Sequence, residues 1–247
     1  MGAWEFIKVG EVREGTNLFI GLPDVGLVGA IASTFLVRTL KLDLKSFVDS
    51  DMMPPIILFH GSEPLMPLRI YGNDSITVLT SEVAVPVEAI PSLARDVVGW
   101  ARENKVRMIV VLSGVPTPNR MEMERPGVYG AAVRREEREM LESKGVNLLK
   151  EGFVSGVYAA VLKECMKRGF PAIALLAESY ANYPDPGAAA SLLSRFEDIF
   201  GIKVDVKPLL EQEEELRLKL RELMKRTVEQ MRRAGKEYEY TIPPIYA

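Results

Sequence analysis

Two hydrophobic rhythms run along this chain. Residues 17–21 (Asn-Leu-Phe-Ile-Gly) and 108–112 (Met-Ile-Val-Val-Leu) are short, nearly unbroken apolar runs. Runs of that length bounded by polar or glycine positions read as strands buried on both faces. Longer stretches carry apolar residues at helical spacing: 26–40, a segment opened by Pro86 or Pro91 and reaching about 104, then 130–144, 156–168 and 187–200. Further short strands are expected at 45–48, 56–60, 68–71, 76–81, 146–149 and 172–176. Proline and glycine punctuate residues 52–81, as hairpin-like connections require, so that stretch is expected to add antiparallel strands. Alternation of strands and helices predicts an α/β fold, a three-layer α/β/α sandwich with a mixed, mostly parallel sheet over residues 1–207.

Residues 208–235 differ in kind. Pro208 suits a helix start, Glu211, Glu213, Glu214 and Glu215 crowd the first turns, and Arg232 and Arg233 the last, an order that complements the helix dipole. Leu209, Leu216, Leu220, Leu223, Thr227 and Met231 make one apolar stripe, with Gly235 as the stop. As one helix this segment would be on the order of 40 Å long. Its stripe either packs on the parent domain or meets sister helices in an oligomer, although Glu213 interrupts a strict heptad. Residues 236–247 form an extended tail stiffened by Pro243 and Pro244, ending in Ile245, Tyr246 and Ala247. An aliphatic group, an aromatic ring and a carboxylate on such an arm suit capture by a pocket on another protein.

Composition narrows the chemistry. The 247 residues are 47% apolar with a net charge of −3, so no basic field exists for nucleic acid. Cys165 is the one cysteine and His60 the one histidine, which removes internal disulfides, thiolate metal sites and two-histidine motifs. Residues 1–9 lack the pattern of a signal peptide, and no apolar stretch reaches membrane-spanning length. A cytoplasmic protein without a membrane anchor is expected.

Candidate sites are few. The loop 21–29 (Gly-Leu-Pro-Asp-Val-Gly-Leu-Val-Gly) follows a strand and opens a helix, where backbone N–H groups suit an anion. It lacks the lysine-hydroxyl ending of a Walker loop and the close glycine pair of the dinucleotide fingerprint. Asp24 would repel phosphate. Gly26 and Gly29 are expected instead to let the helix pack closely, with Asp24 as its cap. Asp49, Asp51, Glu63, Glu82 and Asp185 are acid/base candidates, but no spacing pairs them; His60 is a candidate base, and Cys165 reads as a core thiol. The segment 178–190, with Tyr180, Tyr183 and Asp185 between a buried strand and an alanine-rich helix, lies where α/β proteins place ligands. An interface or a vestigial pocket at Asp24, Tyr180, Tyr183 and Asp185 fits it equally. No catalytic residue, metal or cofactor is assigned, and the alternative is a small-molecule enzyme, a nucleoside or phosphate-ester transferase or hydrolase, using the loop 21–29.

The loop 21–29 and the segment from Tyr180 to Ala190 together resemble the archaeal branch of the proteasome assembly chaperone family over roughly residues 1–205. The resemblance implies a nucleoside-phosphorylase-like sandwich without demonstrated enzymatic residues. It further implies an ATP-independent chaperone or activator of the 20S proteasome, acting as a homo-oligomer, a tetramer over a pentamer. The ending Ile245-Tyr246-Ala247 is similar to the hydrophobic-tyrosine-any motif with which proteasome activators enter pockets between α-ring subunits. By that likeness the Ala247 carboxylate pairs with a pocket lysine, Tyr246 packs at the pocket wall and Ile245 buries aliphatic surface.

Overall fold

The structure, a computed structural model, describes residues 4–233. The chain opens with β1 (Glu5–Lys8), β2 (Asn17–Gly21), α1 (Val28–Thr39) and β3 (Asp43–Asp49). A small hairpin, β4 (Leu58–His60) with β5 (Glu63–Leu65), precedes β6 (Leu68–Gly72) and β7 (Ile76–Ser81). Then come α2 (Ile90–Glu103), β8 (Met108–Pro116), β9 (Val128–Ala132), α3 (Arg135–Ser143), β10 (Asn147–Leu148), α4 (Gly156–Arg168) and β11 (Ala172–Ser179). The described residues close with α5 (Pro186–Ser194), α6 (Phe196–Phe200), α7 (Lys207–Glu211), α8 (Glu213–Lys219) and α9 (Arg221–Arg233).

Among these residues the main sheet runs β1-β3-β6-β7-β2-β8-β11-β9-β10. Its centre, β7-β2-β8-β11, is parallel. The β1-β3-β6-β7 flank is antiparallel, as expected of residues 52–81, and β9 meets β11 antiparallel. The apolar runs explain the layering, because successive side chains in a strand face opposite sides. Leu18, Ile20, Ile109, Val111, Ala172, Ala174 and Leu176 pack with α2 and α4. Phe19, Val110, Leu112, Ile173, Leu175 and Ala177 pack on the other face with α1, α5 and α6. Both faces of the central strands are buried, which makes the three-layer sandwich.

Several boundaries differ from the sequence reading. The helix expected over 130–144 starts later, because residues 128–132 form β9 against β11. A side chain at Gly130 would run into Leu141 and Val146, so α3 can lie close over β9. The helix expected at 187–200 breaks at Arg195 into α5 and α6. The larger correction concerns residues 208–235. In place of one continuous helix, the chain breaks at Gln212 (φ −101°, ψ 12°) and Leu220 (φ −90°, ψ 0°) into α7, α8 and α9, and of the two alternatives for the stripe it is packing on the parent domain that is seen. The apolar stripe decides this: Leu209, Met224, Thr227 and Met231 are buried, and Leu216, Leu220 and Leu223 pack against the core of that face. Each fully buried Leu or Met stabilises by about 1.5–3 kcal/mol, which a straight rod leaving the body would forgo. Acidic first-turn residues of α8 and basic last-turn residues of α9 keep the expected dipole match. Gly235 and the segment 236–247, with Ile245, Tyr246 and Ala247, lie outside the described residues.

A docked α9 makes a measurable prediction. Met224→Ala is expected to lower unfolding stability by about 2–5 kcal/mol in urea titration, the cost of emptying a core position; a solvated rod would show a change within about 0.5 kcal/mol.

Candidate functional site

The carboxyl ends of β2, β8 and β11 gather three loops. In the first, residues 21–29, the backbone turns left-handed at Gly26 (φ 58°) before the helix begins. A side chain at Gly26 would collide with the Ser179 hydroxyl and the Tyr180 carbonyl, and one at Gly29 with the Leu112 carbonyl and the Tyr158 hydroxyl. The glycines therefore seat α1 directly on the sheet, as the sequence indicated. Two of the loop amides are engaged by protein: Leu22 N donates to Tyr158 Oη at 2.7 Å, and Leu27 N to Asp24 O at 2.9 Å. Tyr158 Oη donates in turn to Leu22 O at 2.9 Å. Burial, reinforced by the Asp24 charge, pushes that phenol well above its ordinary pKa, so it stays neutral. Asp24 does not cap the helix as expected. Its side chain accepts no cap hydrogen bond and turns inward, with Ser113 Oγ 3.5 Å from Oδ2.

The second and third loops meet at a buried ion pair. Asp185 stands just before α5 and caps it, Oδ1 accepting from Ala188 N at 2.9 Å. The same carboxylate takes a two-pronged grip from Arg120, Nε to Oδ2 at 2.8 Å and Nη2 to Oδ1 at 2.9 Å. Oδ2 also accepts Tyr180 N at 3.1 Å, and Arg120 Nη1 donates to Met123 O at 3.0 Å. Asp185 N donates to Gly26 O at 2.8 Å, which ties this knot to the first loop. Both charged side chains are buried. Above them the guanidinium carbons of Arg120 and Arg217 lie over the Tyr180 ring at 5.0 and 5.5 Å from its centre. The Asp185 carboxylate is saturated with donors and set up to hold loops together.

The structure thus brings Tyr180 and Asp185 together and puts Asp24 nearby beneath the first loop. Tyr183 points away, 71% exposed. Arg120, which completes the knot, escaped the sequence reading; its only signal was a basic residue in the loop after a doubly buried strand. Of the other acid/base candidates, Glu82 is engaged by Arg69 and by His60 Nε2 at 3.2 Å, while Glu63 lies opposite His60 in the β4-β5 hairpin. Asp49 sits on β3 opposite Glu5, and Asp51 is exposed beyond it. Burial, reinforced by Glu164, pushes the Cys165 thiol up to about 12. Among the described residues no cluster of three or more His, Cys, Asp or Glu could hold a metal. No described helix is long and apolar enough to cross a membrane. The cavity beside Asp24, lined by Leu22, Val85, Ile90, Gln230 and Met231 among others, holds about 30 Å³. Ligand pockets are typically about 300–1,000 Å³, and this one is roofed by α9.

Comparison with known proteins gives this geometry a context. The sequence model of the PAC2 family matches residues 18–224. The uncharacterized protein MJ0106 of Methanocaldococcus jannaschii is 30% identical over 235 residues, 95% of this chain and 96% of that protein. The crystal structure of Pyrococcus furiosus PbaA, described as an archaeal homolog of proteasome-assembly chaperone, superposes with a TM-score of 0.85 at 30% identity, covering 92% of this chain and 98% of that one. Pyrococcus furiosus PbaB, described as an archaeal proteasome activator, shares the fold with a TM-score of 0.75 at 23% identity, covering 90% and 98%.

Asp185→Ala is expected to cost about 3–5 kcal/mol by urea titration, because Arg120 is left buried and unpaired; Tyr183→Ala should stay within about 0.5 kcal/mol. Loss of less than 1 kcal/mol in the Asp185 variant would mean that the ion pair does not organise the loops. Cys165 should resist a thiol-specific reagent at pH 8 in the native protein and react readily in urea, since its thiolate forms only as pH approaches 12.

Proposed function

The chain belongs to the PAC2 family, and from that premise we propose that it serves the 20S proteasome as an ATP-independent, non-enzymatic assembly chaperone and activator. In this reading Ile245, Tyr246 and Ala247 dock into the pockets between α-ring subunits. The observation that carries the proposal is the likeness to Pyrococcus furiosus PbaA, at 30% identity and with nearly all of both chains covered. That protein's description as a homolog of proteasome-assembly chaperone points to the proteasome as partner.

The condition of the sheet's carboxyl end supports the same reading. At the carboxyl ends of β8 and β11, where an α/β enzyme would bind substrate, the space is taken by the Arg120–Asp185 pair, and the small cavity beside Asp24 is closed by α9. The loop 21–29 spends its glycines on helix packing and lacks a Walker lysine, which favours independence from ATP. A small-molecule transferase or hydrolase acting there would first have to displace α9.

One tail offers a small contact. Pro243 and Pro244 limit the entropy lost when it is fixed, and several tails on one homo-oligomer, a tetramer in this proposal, raise the effective concentration of the rest. The setting is the cytoplasm.

Removal of Ile245–Ala247 should abolish co-purification with 20S particles and the stimulation of peptide hydrolysis, while thermal stability stays unchanged. Equal binding and hydrolysis with and without these residues would refute tail docking. Stabilisation of the protein by nucleosides or phosphate in a thermal-shift series would favour the enzyme.

A further inference from the structure

The three closing helices are attached to the body in unequal ways. Leu209 anchors α7, and Met224, Thr227 and Met231 anchor α9. Between them α8 has no fully buried residue: Leu216 is partly buried against the core and Leu218 is 73% exposed. The two departures from helical geometry, Gln212 and Leu220, flank α8 on either side. Backbone hydrogen bonds nevertheless run through both bends: Gln212 N to Pro208 O at 3.3 Å, Leu216 N to Gln212 O, Leu220 N to Leu216 O and Met224 N to Leu220 O, each of these three at 2.9 Å. Bent and straight courses therefore use nearly the same backbone bonds, so side-chain contacts select the bend: the apolar stripe sets where α7 and α9 sit, and α8, the least buried of the three, needs a contact of its own.

The side chain placed to do so is Arg217, near the middle of α8. Its guanidinium lies over the Tyr180 ring, 5.5 Å from the centre, while Nη2 donates to Glu213 at 2.6 Å and Nη1 to Glu214 at 3.1 Å. Those carboxylates orient the guanidinium and offset its charge beside Arg120, which lies over the same ring. Tyr180 is itself held by the buried knot, since its N–H donates to Asp185. A cation over an aromatic face is worth about as much as one well-made surface interaction and more when partly desolvated. For a segment whose core contact is limited to the partly buried Leu216, the contact with Tyr180 bears on its direction.

We infer that Tyr180 and Arg217 form a latch that sets the course of α8, and through it helps to place α9, the last described element before residues 234–247. Resting on the tail-docking reading, this assigns both residues a positioning role: they aim the tail without touching the proteasome. The knot at the carboxyl end of the sheet becomes the fixed point from which the tail is aimed.

Amide hydrogen exchange on the full chain tests the latch in the isolated protein. In Tyr180→Leu and in Arg217→Met, amides of residues 213–219 should exchange roughly three- to tenfold faster, with β8 unchanged. Tyr180→Phe keeps the ring face and should match the parent. Tyr180→Leu/Arg217→Met should be no faster than either single variant, because the two substitutions remove one contact. Unchanged α8 exchange, or effects that multiply in the double variant, would overturn the latch. Stimulation of 20S peptide hydrolysis then tests aim: it should fall severalfold in Tyr180→Leu and Arg217→Met and be retained in Tyr180→Phe. Full stimulation by the loosened variants would overturn the positioning role. Failure of tail docking itself has a separate signature, stimulation that survives removal of Ile245–Ala247 while α8 still loosens in the latch variants.

Discussion

The buried pair of Asp185 and Arg120 is the interaction on which this architecture turns. Asp185 caps α5, accepts both prongs of Arg120 and the amide of Tyr180, and lends its own amide to Gly26. Three loops, at Gly26, at Arg120 and at Tyr180–Asp185, are thereby joined at the carboxyl end of the sheet. A buried ion pair is a weak source of net stability, because desolvation offsets most of the attraction, but breaking it is costly. Its value here lies in that asymmetry. Any rearrangement that removes one partner while the other stays buried leaves a charge without compensation.

Closing the crevice has a consequence for function. In open α/β sheets the carboxyl ends of the strands are where small molecules bind, and this chain fills that place with its own side chains and covers it with α9. The closing helices pack through their leucine and methionine stripe, with α7 and α8 against α5 and α9 against the loop 21–29. The proposed proteasome role asks of the body only that it carry the closing segment, and the likeness to Pyrococcus furiosus PbaA, described as a homolog of proteasome-assembly chaperone, is what supports that proposal.

Much of the fold was legible in the sequence because doubly buried strands leave a strong mark: Leu18, Phe19 and Ile20, or Ala172 through Ala177, face both cores without a polar interruption. Strand β9 was missed because Gly130, Ala131 and Ala132 carry no β-branched signal and run into good helix formers. The bends at Gln212 and Leu220 were invisible for a related reason. Local propensity there favours one continuous helix, and the choice is made by packing against residues far away. The site was half legible. Tyr180 and Asp185 stand in an unusual segment that drew notice, whereas Arg120 lies 65 positions from Asp185 with no spacing rule to connect them. The glycines at 26 and 29 were read correctly, since close packing leaves a pattern at one-turn spacing; the inward turn of Asp24 follows from Ser113 on a strand that local sequence cannot see.

The most direct measurement is photo-crosslinking to intact 20S particles from a benzophenone side chain placed at position 246 or at position 183. If the tail is the contact and the loops at the carboxyl end of the sheet are its support, crosslinks to α-subunits form from position 246 and are absent from position 183. Crosslinks from position 183 with none from 246 would contradict the account and make the loop face the docking surface.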